Sequence, residues 1–350
     1  MAYEIDYIPV GDGERSGDAI ALRFGGFLGL PGGQIVMVID GGFKDSGELL
    51  VNHIRDCYKT DYVDLVISTH PDADHASGLS VVLEQLRVGG LLMHKPWNHA
   101  AEIKGLFKDG RITHSGLEAK MEKSLQNASD LETMANRKGV PIIEPFQGVT
   151  GFGDALHILG PSREYYESLL PLFRGIPEPL KALQDLLGTA KRAVEGAMRW
   201  VEDHLHIDLL NDDDDGTSAE NNTSTIILFS LDGDKLLFTG DAGKTALLAA
   251  ADYAESRGIS LAGLQFLDVP HHGSKRNLSS RVLNRINATT AFISAPKTSP
   301  KHPAKKVTNA LQKYGANVYV TRGSNLLYSK PAVRGWISAQ AEQFHLHIEE

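Results

Sequence analysis

Six consecutive residues, His70 to His75, have the side chains and spacing of a metal site. They read His-Pro-Asp-Ala-Asp-His, so four of the six can ligate a cation through nitrogen or oxygen. They follow an apolar run, Val63 to Ile67, that is typical of a buried strand. Two imidazoles and two carboxylates crowded at a strand end need buried partners. One or two divalent cations would supply them, so the motif predicts a metal site at the edge of a sheet.

Three further polar groups come after predicted strands, two of them directly and the third near the exit of the next strand. They are, in chain order, the Thr-Gly-Asp of 239–241, the His-His-Gly-Ser of 271–274 and the His-Pro of 302–303. Taken singly, a Gly-Asp after a strand is more often a turn, and a His-His pair is more often surface or hydrogen-bonded core. A rigid sheet can nevertheless direct the ends of several strands into one crevice. Four such groups in one chain therefore predict a shared site.

The segments that would position these groups are predicted as strands alternating with helices. Strands are predicted at 35–39, 63–67, 90–93, 140–143, 155–159, 225–231, 235–238, 264–269, 291–294 and 318–321, and helices at 46–58, 78–86, 131–138, 244–257, 277–286 and 303–314. Asp232-Gly233 fits the turn of a hairpin between two of these strands. Antiparallel strands come first and mixed units follow, so we expect sheets that pack on each other beneath covering helices.

Two segments interrupt this pattern. Residues 97–130 are polar and weakly periodic, and we interpret them as an insertion. From Leu180 to Leu205 apolar residues recur at steps of three and four, which predicts a long amphipathic helix. Its apolar stripe either packs on its own domain or forms a docking or homodimer surface, and both interpretations stay open. The four acids of 212–215 that follow are typical of a solvated loop.

The composition indicates a globular protein of a reducing compartment. The chain has 350 residues, 42% of them hydrophobic, and one cysteine, Cys57. A single cysteine excludes an intrachain disulfide and is typical of cytoplasmic proteins. The first residues lack the basic and apolar regions of a signal peptide, and no run approaches the roughly 20 apolar residues of a membrane span. We therefore expect a cytoplasmic protein with no membrane-spanning segment.

The charge distribution is uneven along the chain. The net charge is -9, which argues against a protein coated with basic residues for nucleic-acid binding. Between residues 271 and 306, however, eight lysine and arginine residues occur without an acid: Lys275, Arg276, Arg281, Arg285, Lys297, Lys301, Lys305 and Lys306. A local basic field on an acidic protein predicts a polyanion bound at one place, and a solvated surface helix is the alternative.

These motifs resemble those of the metallo-β-lactamase superfamily. The 70–75 motif is similar to its HxHxDH signature, with Asp72 in place of the second histidine, and the 239–241 and 270–274 motifs are similar to its downstream metal motifs. With the Asn-Asn-Thr-Ser of 221–224, the pattern resembles the nuclease domain of the DNA-uptake protein ComEC and its free-standing relatives, over residues 4–160 and 220–330. The resemblance implies a single metallo-β-lactamase-like domain over 1–350. Its fold would be a four-layer αββα sandwich, of α+β or α/β class, with helical insertions at 97–130 and 162–220.

The resemblance also implies a set of metal ligands. In that set His70 and Asp72 bind one metal, Asp74 and His75 bind the other, Asp241 bridges both, and His271 joins the second. His272 is left to contact substrate or to support a ligand. His157 corresponds to the remaining histidine ligand of the superfamily, but it lies inside a predicted strand, so a one-metal site stays open. Asp40 either fixes the tautomer of a ligand histidine or is a turn residue.

The predicted donor set is rich in oxygen. Asp72, Asp74 and Asp241 supply three carboxylates beside about three imidazoles, without a thiolate. Such a set shifts preference from Zn²⁺ toward Mn²⁺, although Zn²⁺ keeps the higher raw affinity. One or two divalent cations can activate water and hold phosphate oxygens in line. Asp74 can also orient or deprotonate that water.

The basic residues predict the class of substrate. Lys275 and Arg276 follow the 271–274 motif and Lys301 precedes His302, so these cations would line the rim of the metal site. Phosphate contacts come from lysine and arginine, whereas a lactam or thioester needs none. We assign substrate contacts to Lys275, Arg276, Asn222, Ser274 and Lys301. His302 either stabilises the transition state, protonates the leaving oxygen or caps a helix.

The leading hypothesis is that the protein is a divalent-metal-dependent phosphodiester hydrolase, and within that class a DNA nuclease is the first choice. A second is a hydrolase of a small phosphoester or cyclic nucleotide, with 97–130 and 162–220 walling the site against polymers. A third is an effector subunit of a defence complex, activated by a partner that docks on 180–205. The sequence leaves open DNA or RNA, endo or exo cleavage, the number of metals and the oligomeric state.

Overall fold

Two seven-stranded β-sheets lie at the centre of the fold. The computed structural model describes residues 1–13, 15–27, 33–181, 210, 216–332, 334 and 338–345. Within these residues the strands are β1 (Ala2–Tyr7), β2 (Ala19–Gly25), β3 (Gln34–Gly41), β4 (Tyr62–Val63), β5 (Leu65–Ile67), β6 (Arg87–Val88), β7 (Leu91–Leu92), β8 (Ile142–Ile143), β9 (Thr150–Gly151), β10 (Leu156–Gly160), β11 (Ile226–Leu231), β12 (Asp234–Phe238), β13 (Leu264–Asp268), β14 (Ala288–Ile293), β15 (Asn317–Val320) and β16 (Leu326–Lys330). The first sheet has the order β16-β1-β2-β3-β5-β7-β8 and the second β15-β14-β13-β12-β11-β10-β9, with β4 and β6 as a separate pair.

Each sheet has an antiparallel part and a parallel part. In the first sheet β16, β1, β2 and β3 are antiparallel neighbours, and β3, β5, β7 and β8 run parallel. In the second sheet β9 to β12 alternate in direction and β12 to β15 run parallel. Parallel neighbours end at the same edge of a sheet, so the polar segments after β12 and β13 emerge side by side.

Helices cover the outer face of each sheet. Among the described residues they are α1 (Lys44–His53, extended by a π-helical turn at Ile54–Tyr58), α2 (Ala73–Ala76), α3 (Leu79–Gln85), α4 (Ala100–Ile103), α5 (His114–Ser124), α6 (Gln126–Lys138), α7 (Arg163–Leu169), α8 (Ala219–Asn222), α9 (Lys244–Ser256), α10 (Ser280–Arg285) and α11 (Lys305–Lys313). Buried side chains of α1, α3, α5 and α6 form an apolar cluster with the first sheet, and those of α9, α10 and α11 form one with the second. A further cluster lies between the sheets. These interfaces define an αββα sandwich, which confirms the predicted fold class.

The layer between the sheets is rich in aromatic side chains. Along β2, Leu22 faces the second sheet while Ala21 faces the helices, as the period of a strand requires. The ring centroids of Phe266 and Phe292 lie 5.1 Å apart, and that of Tyr7 lies 5.4 Å from Phe292. Full burial of one such side chain contributes about 1.5–3 kcal/mol. This core holds the two sheets in register and therefore positions the segments that leave their strands.

Some element ends differ from the predicted ones. The helix predicted from residue 277 begins at Ser280, because Ser279 Oγ accepts a hydrogen bond from the Val282 N–H at 3.2 Å and caps the helix there. Strand β16 is not among the predicted strands. Its pairing with β1 joins residues at opposite ends of the chain, such as Lys330 and Tyr3, and a local sequence pattern does not show such a pairing.

Residues 97–130 are largely helical and pack beside the first sheet. Trp97 is 2% exposed, and its Nε1 donates to Glu132 Oε2 at 2.8 Å. Leu117 and Met121, one helical turn apart on α5, are fully buried. This polar stretch therefore has a narrow apolar stripe that suffices for packing. The bounds of the insertions at 97–130 and 162–220 stay a prediction.

Several predicted features fall outside the described residues. Most of the helix predicted from Leu180 to Leu205 lies there, as do the acids of 212–215. Leu180, at the edge of the described part, is 39% exposed. The choice between domain packing and a docking surface for this stripe stays open. In the part of the chain that the structure describes, no helix combines the length and apolarity needed to cross a bilayer.

Candidate metal centre

The ends of both sheets meet at the 70–75 motif, which follows β5. From the second sheet, the Thr225 N–H donates to the Thr69 carbonyl at 2.9 Å. Gly240, after β12, has a φ of +49°, and a Cβ atom there would lie 2.8 Å from Thr69 Oγ1. Glycine adopts this backbone conformation and allows this approach without a clash. The Thr-Gly-Asp motif thereby brings Asp241 beside the histidines of the first sheet.

Asp241 lies at the centre of four imidazole rings, and its side chain is 5% exposed. Each ring directs its Nε2 atom at one carboxylate oxygen. The distances to Oδ1 are 3.4 Å from His75 and 3.6 Å from His272, and those to Oδ2 are 3.6 Å from His271 and 3.8 Å from His70. Each oxygen therefore faces one pair of imidazoles, which is the arrangement expected of a carboxylate that bridges two cations.

These distances fit cations placed between the side chains. They are too long for direct hydrogen bonds, whose heavy-atom distances are about 2.7–3.2 Å. Two ligand atoms that each lie about 2.1 Å from a tetrahedral cation stand about 3.4 Å apart. Within the described chain, the Nε2 atoms of His70, His75 and His272 and the Oδ1 atom of Asp241 are buried without a hydrogen-bond partner. Buried polar atoms are rarely left so, and divalent cations would satisfy all of these.

Asp40 sets the tautomers of two of the rings. Its Oδ2 atom accepts hydrogen bonds from His75 Nδ1 at 2.8 Å and from Thr69 Oγ1 at 2.6 Å. The Thr69 hydroxyl has a single hydrogen, which it donates to Asp40, so it accepts the hydrogen of His70 Nδ1 at 3.0 Å. Hydrogens on both Nδ1 atoms leave lone pairs on the Nε2 atoms that face Asp241. A neutral imidazole in this tautomer is a metal ligand.

Asn277 orients the His271 ring in the same way. Its amide nitrogen donates to the carbonyls of Asp241 and Ala242, at 3.0 Å and 3.1 Å. The amide oxygen is therefore the atom that accepts from His271 Nδ1, at 3.0 Å. The lone pair of His271 Nε2 then faces the Oδ2 atom of Asp241. Asn277 is fully buried, and no motif marks it in the sequence.

The backbone is strained at three positions of this site. Asp40, His271 and His272 have φ angles of 54°, 51° and 56°, in the left-handed region that non-glycine residues rarely adopt. Asp40 also lies where the register of β3 against β2 shifts at a β-bulge, which redirects a side chain from its regular strand direction. Strained residues of this kind cluster at functional sites.

The electrostatics of the site favour a positive charge. Burial opposes ionisation of Asp241, but the surrounding histidines lower the pKa of that carboxyl far below its ordinary value. Burial opposes protonation of His272, and Asp241 and Asp18 together raise its pKa to about 9. Burial likewise opposes protonation of His75, whose pKa Asp241 and Asp40 raise well above its ordinary value. Carboxylates that favour charge on these rings also favour a divalent cation.

The two acids of the 70–75 motif are placed differently. Asp74 has an oxygen within 4.8 Å of ligand atoms of His75 and His272. Asp72 instead points toward Arg174, whose Nη2 atom donates to both of its oxygens at 2.7 Å. Asp72, predicted to bind the first metal together with His70, is therefore held in an ion pair at the edge of the site.

The structure adds two residues that were not predicted as site residues, Asp18 and Asn221, and it directs the predicted substrate contact Asn222 elsewhere. Asp18, before β2, lies 3.6 Å from His272 Nδ1. Asn221 Nδ2 donates to Asp241 Oδ2 at 3.1 Å. Asn222, the predicted substrate contact, instead faces a backbone carbonyl of the loop before α8 at 3.5 Å. Helix α8 turns these neighbouring side chains in different directions, because successive helical residues point about 100° apart.

Two histidines also differ from their predicted surroundings. His157 stays inside β10, where it pairs with Leu228 of β11, and it is not one of the rings that face Asp241 in the described structure. His272, predicted to contact substrate or support a ligand, is 3% exposed and faces Asp241 as closely as His271 does. In a regular strand adjacent side chains diverge, and the left-handed turn at Pro270–Gly273 lets both rings converge.

A basic pocket of about 780 Å³ opens beside His271. Its lining includes the predicted substrate contacts Ser274, Lys275, Arg276 and Lys301, together with His302, Lys305, Arg322, Glu342 and His345. Four of the eight cations that the sequence places within residues 271–306 thus line one cavity next to the Asp241 cluster, namely Lys275, Arg276, Lys301 and Lys305. Asn222 does not line this pocket.

His302 lies where the pocket meets the histidine cluster. Its ring centroid is 5.8 Å from that of His271 and 6.2 Å from that of His272. Burial, with the positive charge available on those two rings, lowers the pKa of His302 to about 4. At neutral pH the ring is uncharged and can still donate a hydrogen bond from its N–H. Helix α11 begins after Ala304, which rules out His302 as its N-cap residue.

Known proteins similar to this chain are remote. No family model matches it. Recombination protein 2 of Haemophilus influenzae is 28% identical over 152 residues, which make up 43% of this chain and 17% of that protein. The chain therefore spans less than a fifth of the length of this relative.

Similar solved structures include three with low TM-scores. A diphosphatase from the PhnP family has 12% identity and a TM-score of 0.40, with 94% of this chain and 99% of that chain covered. A long form RNase Z from yeast has 13% identity and a TM-score of 0.40, with 93% of this chain and 41% of that chain covered. The metallo-β-lactamase SMB-1 has 12% identity and a TM-score of 0.32, with 87% of this chain and 84% of that chain covered. The fold therefore rests on the layers described above, and the DNA-uptake branch stays a prediction.

Proposed function

We propose that the chain is a divalent-metal-dependent phosphodiester hydrolase that acts on nucleic acid, with DNA as the leading substrate. The supporting observation is the junction of two features. The histidine cluster around Asp241 opens, through His271 and His302, into a pocket lined by lysine and arginine. Metal ligands supply hydrolytic chemistry, and basic side chains beside them bind phosphate oxygens.

The side chains divide into two sets of metal ligands around Asp241. The first is His70, His271 and Asp241 Oδ2, and the second is His75, His272, Asp74 and Asp241 Oδ1. This grouping differs from the predicted one, in which His271 joins Asp74 and His75 at the second metal, because His271 faces the same oxygen of Asp241 as His70 does. Asp72 would join the first set by leaving Arg174. Bound cations would polarise the phosphate and activate water for attack. Three or four carboxylate oxygens suit Mn²⁺ and the imidazoles suit Zn²⁺, so either metal fits these donors.

The other residues of the site hold the substrate and direct protons. Lys275, Arg276 and Lys301 would contact phosphate oxygens from the pocket wall. Asp74, beside His75, would orient the attacking water. His302, with a pKa of about 4, would donate a neutral N–H hydrogen bond to a phosphate or leaving oxygen.

Charge and the partial sequence match favour nucleic acid over other esters. The pocket has five lysine and arginine residues, Lys275, Arg276, Lys301, Lys305 and Arg322, on a chain with a net charge of -9. A neutral ester would not need this concentration of positive charge. Recombination protein 2, which part of the chain resembles, is named for a process that acts on DNA.

A nuclease panel tests this function. The full chain would be incubated with plasmid, linear duplex, single-stranded DNA and RNA, in Mn²⁺, Mg²⁺ or Zn²⁺. We expect cleavage by the wild type and losses of about 10²–10⁴-fold for Asp74→Asn and His75→Ala. His157→Ala, with its histidine inside β10, is the matched control and should cleave normally. A folded wild type that leaves every nucleic acid intact would show that the substrate class is wrong.

The size of the pocket favours one alternative substrate, a small phosphoester or cyclic nucleotide. Its volume of about 780 Å³ lies within the roughly 300–1,000 Å³ of ordinary small-molecule sites. Rates of hydrolysis measured on a dinucleotide and on a long strand distinguish the small-substrate hypothesis from the nuclease hypothesis. A faster reaction of the dinucleotide would favour the small substrate, and a faster reaction of the strand would favour the nuclease.

A further inference from the structure

We propose that Arg322 forms a second phosphate site at the far side of the basic pocket, and that Glu342 occupies it until a nucleic-acid strand arrives. This inference deepens the proposed function and rests on it for the identity of the substrate. Neither residue belongs to the 271–306 basic segment, and both line the same cavity as His271 and His302. A strand bound at the histidine cluster would therefore extend toward Arg322.

Two residues of the segment 338–345, Glu342 and His345, line this pocket, and hydrogen bonds to the backbone anchor them. The Glu342 N–H donates to the Val318 carbonyl of β15 at 2.8 Å. The Asn309 side chain, on α11, accepts from the His345 N–H at 2.8 Å and donates to the His345 carbonyl at 2.8 Å. Asn309 is 1% exposed, so this reciprocal pair is shielded from water. The position of Glu342 is therefore set by backbone contacts as well as by its own ion pair.

Arg322 and Glu342 form a two-point ion pair inside the basic pocket. Arg322 Nε donates to Glu342 Oε1 at 3.1 Å, and Nη2 donates to Oε2 at 3.0 Å. A guanidinium group binds two oxygens of a phosphate with this same geometry. Arg322 also has a φ of 44°, in the left-handed region, in a turn where the Ser324 N–H donates to the Thr321 carbonyl at 2.8 Å. The turn directs its side chain toward the pocket.

The charge balance of the pocket indicates that Glu342 takes the place of a phosphate. Among the lining residues, all of them in the described chain, Glu342 is the one acid beside five lysine and arginine residues. The Arg322 side chain is 49% exposed, and exposed ion pairs contribute little to stability. A phosphate can therefore displace the Glu342 carboxylate from Arg322 without unfolding the wall. The carboxylate would weaken strand binding, and it would not affect ligands too short to reach Arg322.

Binding measurements on two variants test this site without requiring cleavage. The probe is a fluorescein-labelled single-stranded oligothymidylate with phosphorothioate linkages, which slow hydrolysis, titrated into the full chain with its metals. For Glu342→Gln we expect several-fold tighter binding, because the competing charge is gone. For Arg322→Gln we expect binding weaker by about tenfold and a salt slope reduced by about 0.7, the value for one lost single-strand phosphate contact. The double variant should match Arg322→Gln.

Two matched controls make the same charge changes away from the pocket. Arg285 pairs with Asp252 and Glu255 on the helical face of the second sheet, so Arg285→Gln and Glu255→Gln are the controls. If the pocket variants bind like these controls, or if the wild type does not bind the strand, the inference is overturned. Thymidine 5′-monophosphate should be insensitive to Arg322→Gln, because one phosphate held at the metal ligands does not reach Arg322. An equal effect on the mononucleotide would overturn the strand-binding role and favour a small phosphoester.

The outcomes also separate this inference from the proposed function. A chain that binds strands with the expected variant pattern but cleaves none retains the Arg322 site and loses the nuclease assignment. A chain that cleaves strands at an unchanged rate and affinity in both variants retains the nuclease assignment and loses the Arg322 site.

Discussion

The Oδ2 atom of Asp40 lies 2.8 Å from the Nδ1 atom of His75. The same oxygen accepts the Thr69 hydroxyl, which in turn accepts from His70. One buried carboxylate thus determines the hydrogen positions of two rings on the 70–75 motif. Both rings then direct lone pairs at Asp241, on the other sheet.

Asp40→Asn should weaken metal binding without removing a ligand. The Asp40 Oδ2 atom accepts from His75 and from the Thr69 hydroxyl, while Oδ1 accepts from the Thr69 N–H at 2.8 Å. An asparagine has one acceptor oxygen, so its NH₂ group would face one of these donors. Loss of such an outer contact costs about 10–100-fold in metal affinity. Competition with a chelator, for Mn²⁺ and Zn²⁺, measures this directly. Asp56→Asn, an exposed acid in the π-helical turn after α1, is the control and should bind as the wild type does. Equal affinities for both variants would contradict the role of Asp40.

His271→Ala and His272→Ala should each lose one of two metal equivalents. The two rings face different oxygens of Asp241, at 3.6 Å each, so each belongs to a different ligand pair. Asp241→Ala should lose both equivalents, because it removes the shared carboxylate. Metal content after gel filtration, by mass spectrometry, gives the count. A His272→Ala protein that retains two tightly bound equivalents would place His272 outside the ligand set.

Arg174→Gln should raise the affinity for the first metal by freeing Asp72. The guanidinium now holds both oxygens of Asp72 at 2.7 Å, and its Nε donates to the buried Glu220 at 3.0 Å. Loss of the Glu220 contact should also lower the free energy of unfolding by about 1–3 kcal/mol, since a buried acceptor loses a charged donor. Mn²⁺ titrations and urea denaturation measure the two effects. In an Asp72→Asn background the substitution should leave metal affinity unchanged, and a gain there would refute the coupling.

His94 should make the fold sensitive to acid. In the described chain both of its ring nitrogens are buried without a hydrogen-bond partner, and burial lowers the pKa of His94 from 6.5 to about 3. Between those pH values the unfolded state binds the proton and the folded state does not. The contribution of His94 to stability is therefore constant above pH 6.5 and falls with decreasing pH, by at most about 1.4 kcal/mol per pH unit.

His94→Phe should reduce this loss of stability in acid. The ring lies between Tyr166 and Phe146, with centroids 4.4 Å and 4.8 Å away, so an apolar ring suits the site. Urea denaturation at pH 8, 6 and 5, with EDTA throughout, compares the slopes of stability against pH. His114→Phe, at an exposed position on α5, is the control. A slope in His94→Phe equal to that of the wild type would refute the assignment.

Much of the fold follows from local patterns. The hairpin of β11 and β12, the strand before the 70–75 motif and helix α9 are all predicted within a few residues, because their apolar periods are complete within one segment. Strand β16 is not predicted, because its partner, β1, lies at the other end of the chain. The same limit applies to the site, where Asp18, Asn277 and Arg322 belong to no motif.

The sequence shows which strand ends have imidazoles and carboxylates, since residue type and period are local properties. The αββα sandwich is expected from the resemblance of the motifs to the metallo-β-lactamase superfamily. The sequence does not show which ring faces which oxygen of Asp241, that Asn221 rather than Asn222 contacts it, or that Asp72 is paired with Arg174. Those contacts depend on side-chain direction. A bulge at Asp40 and left-handed backbone at His271 and His272 set that direction, and they form only when the two sheets pack together.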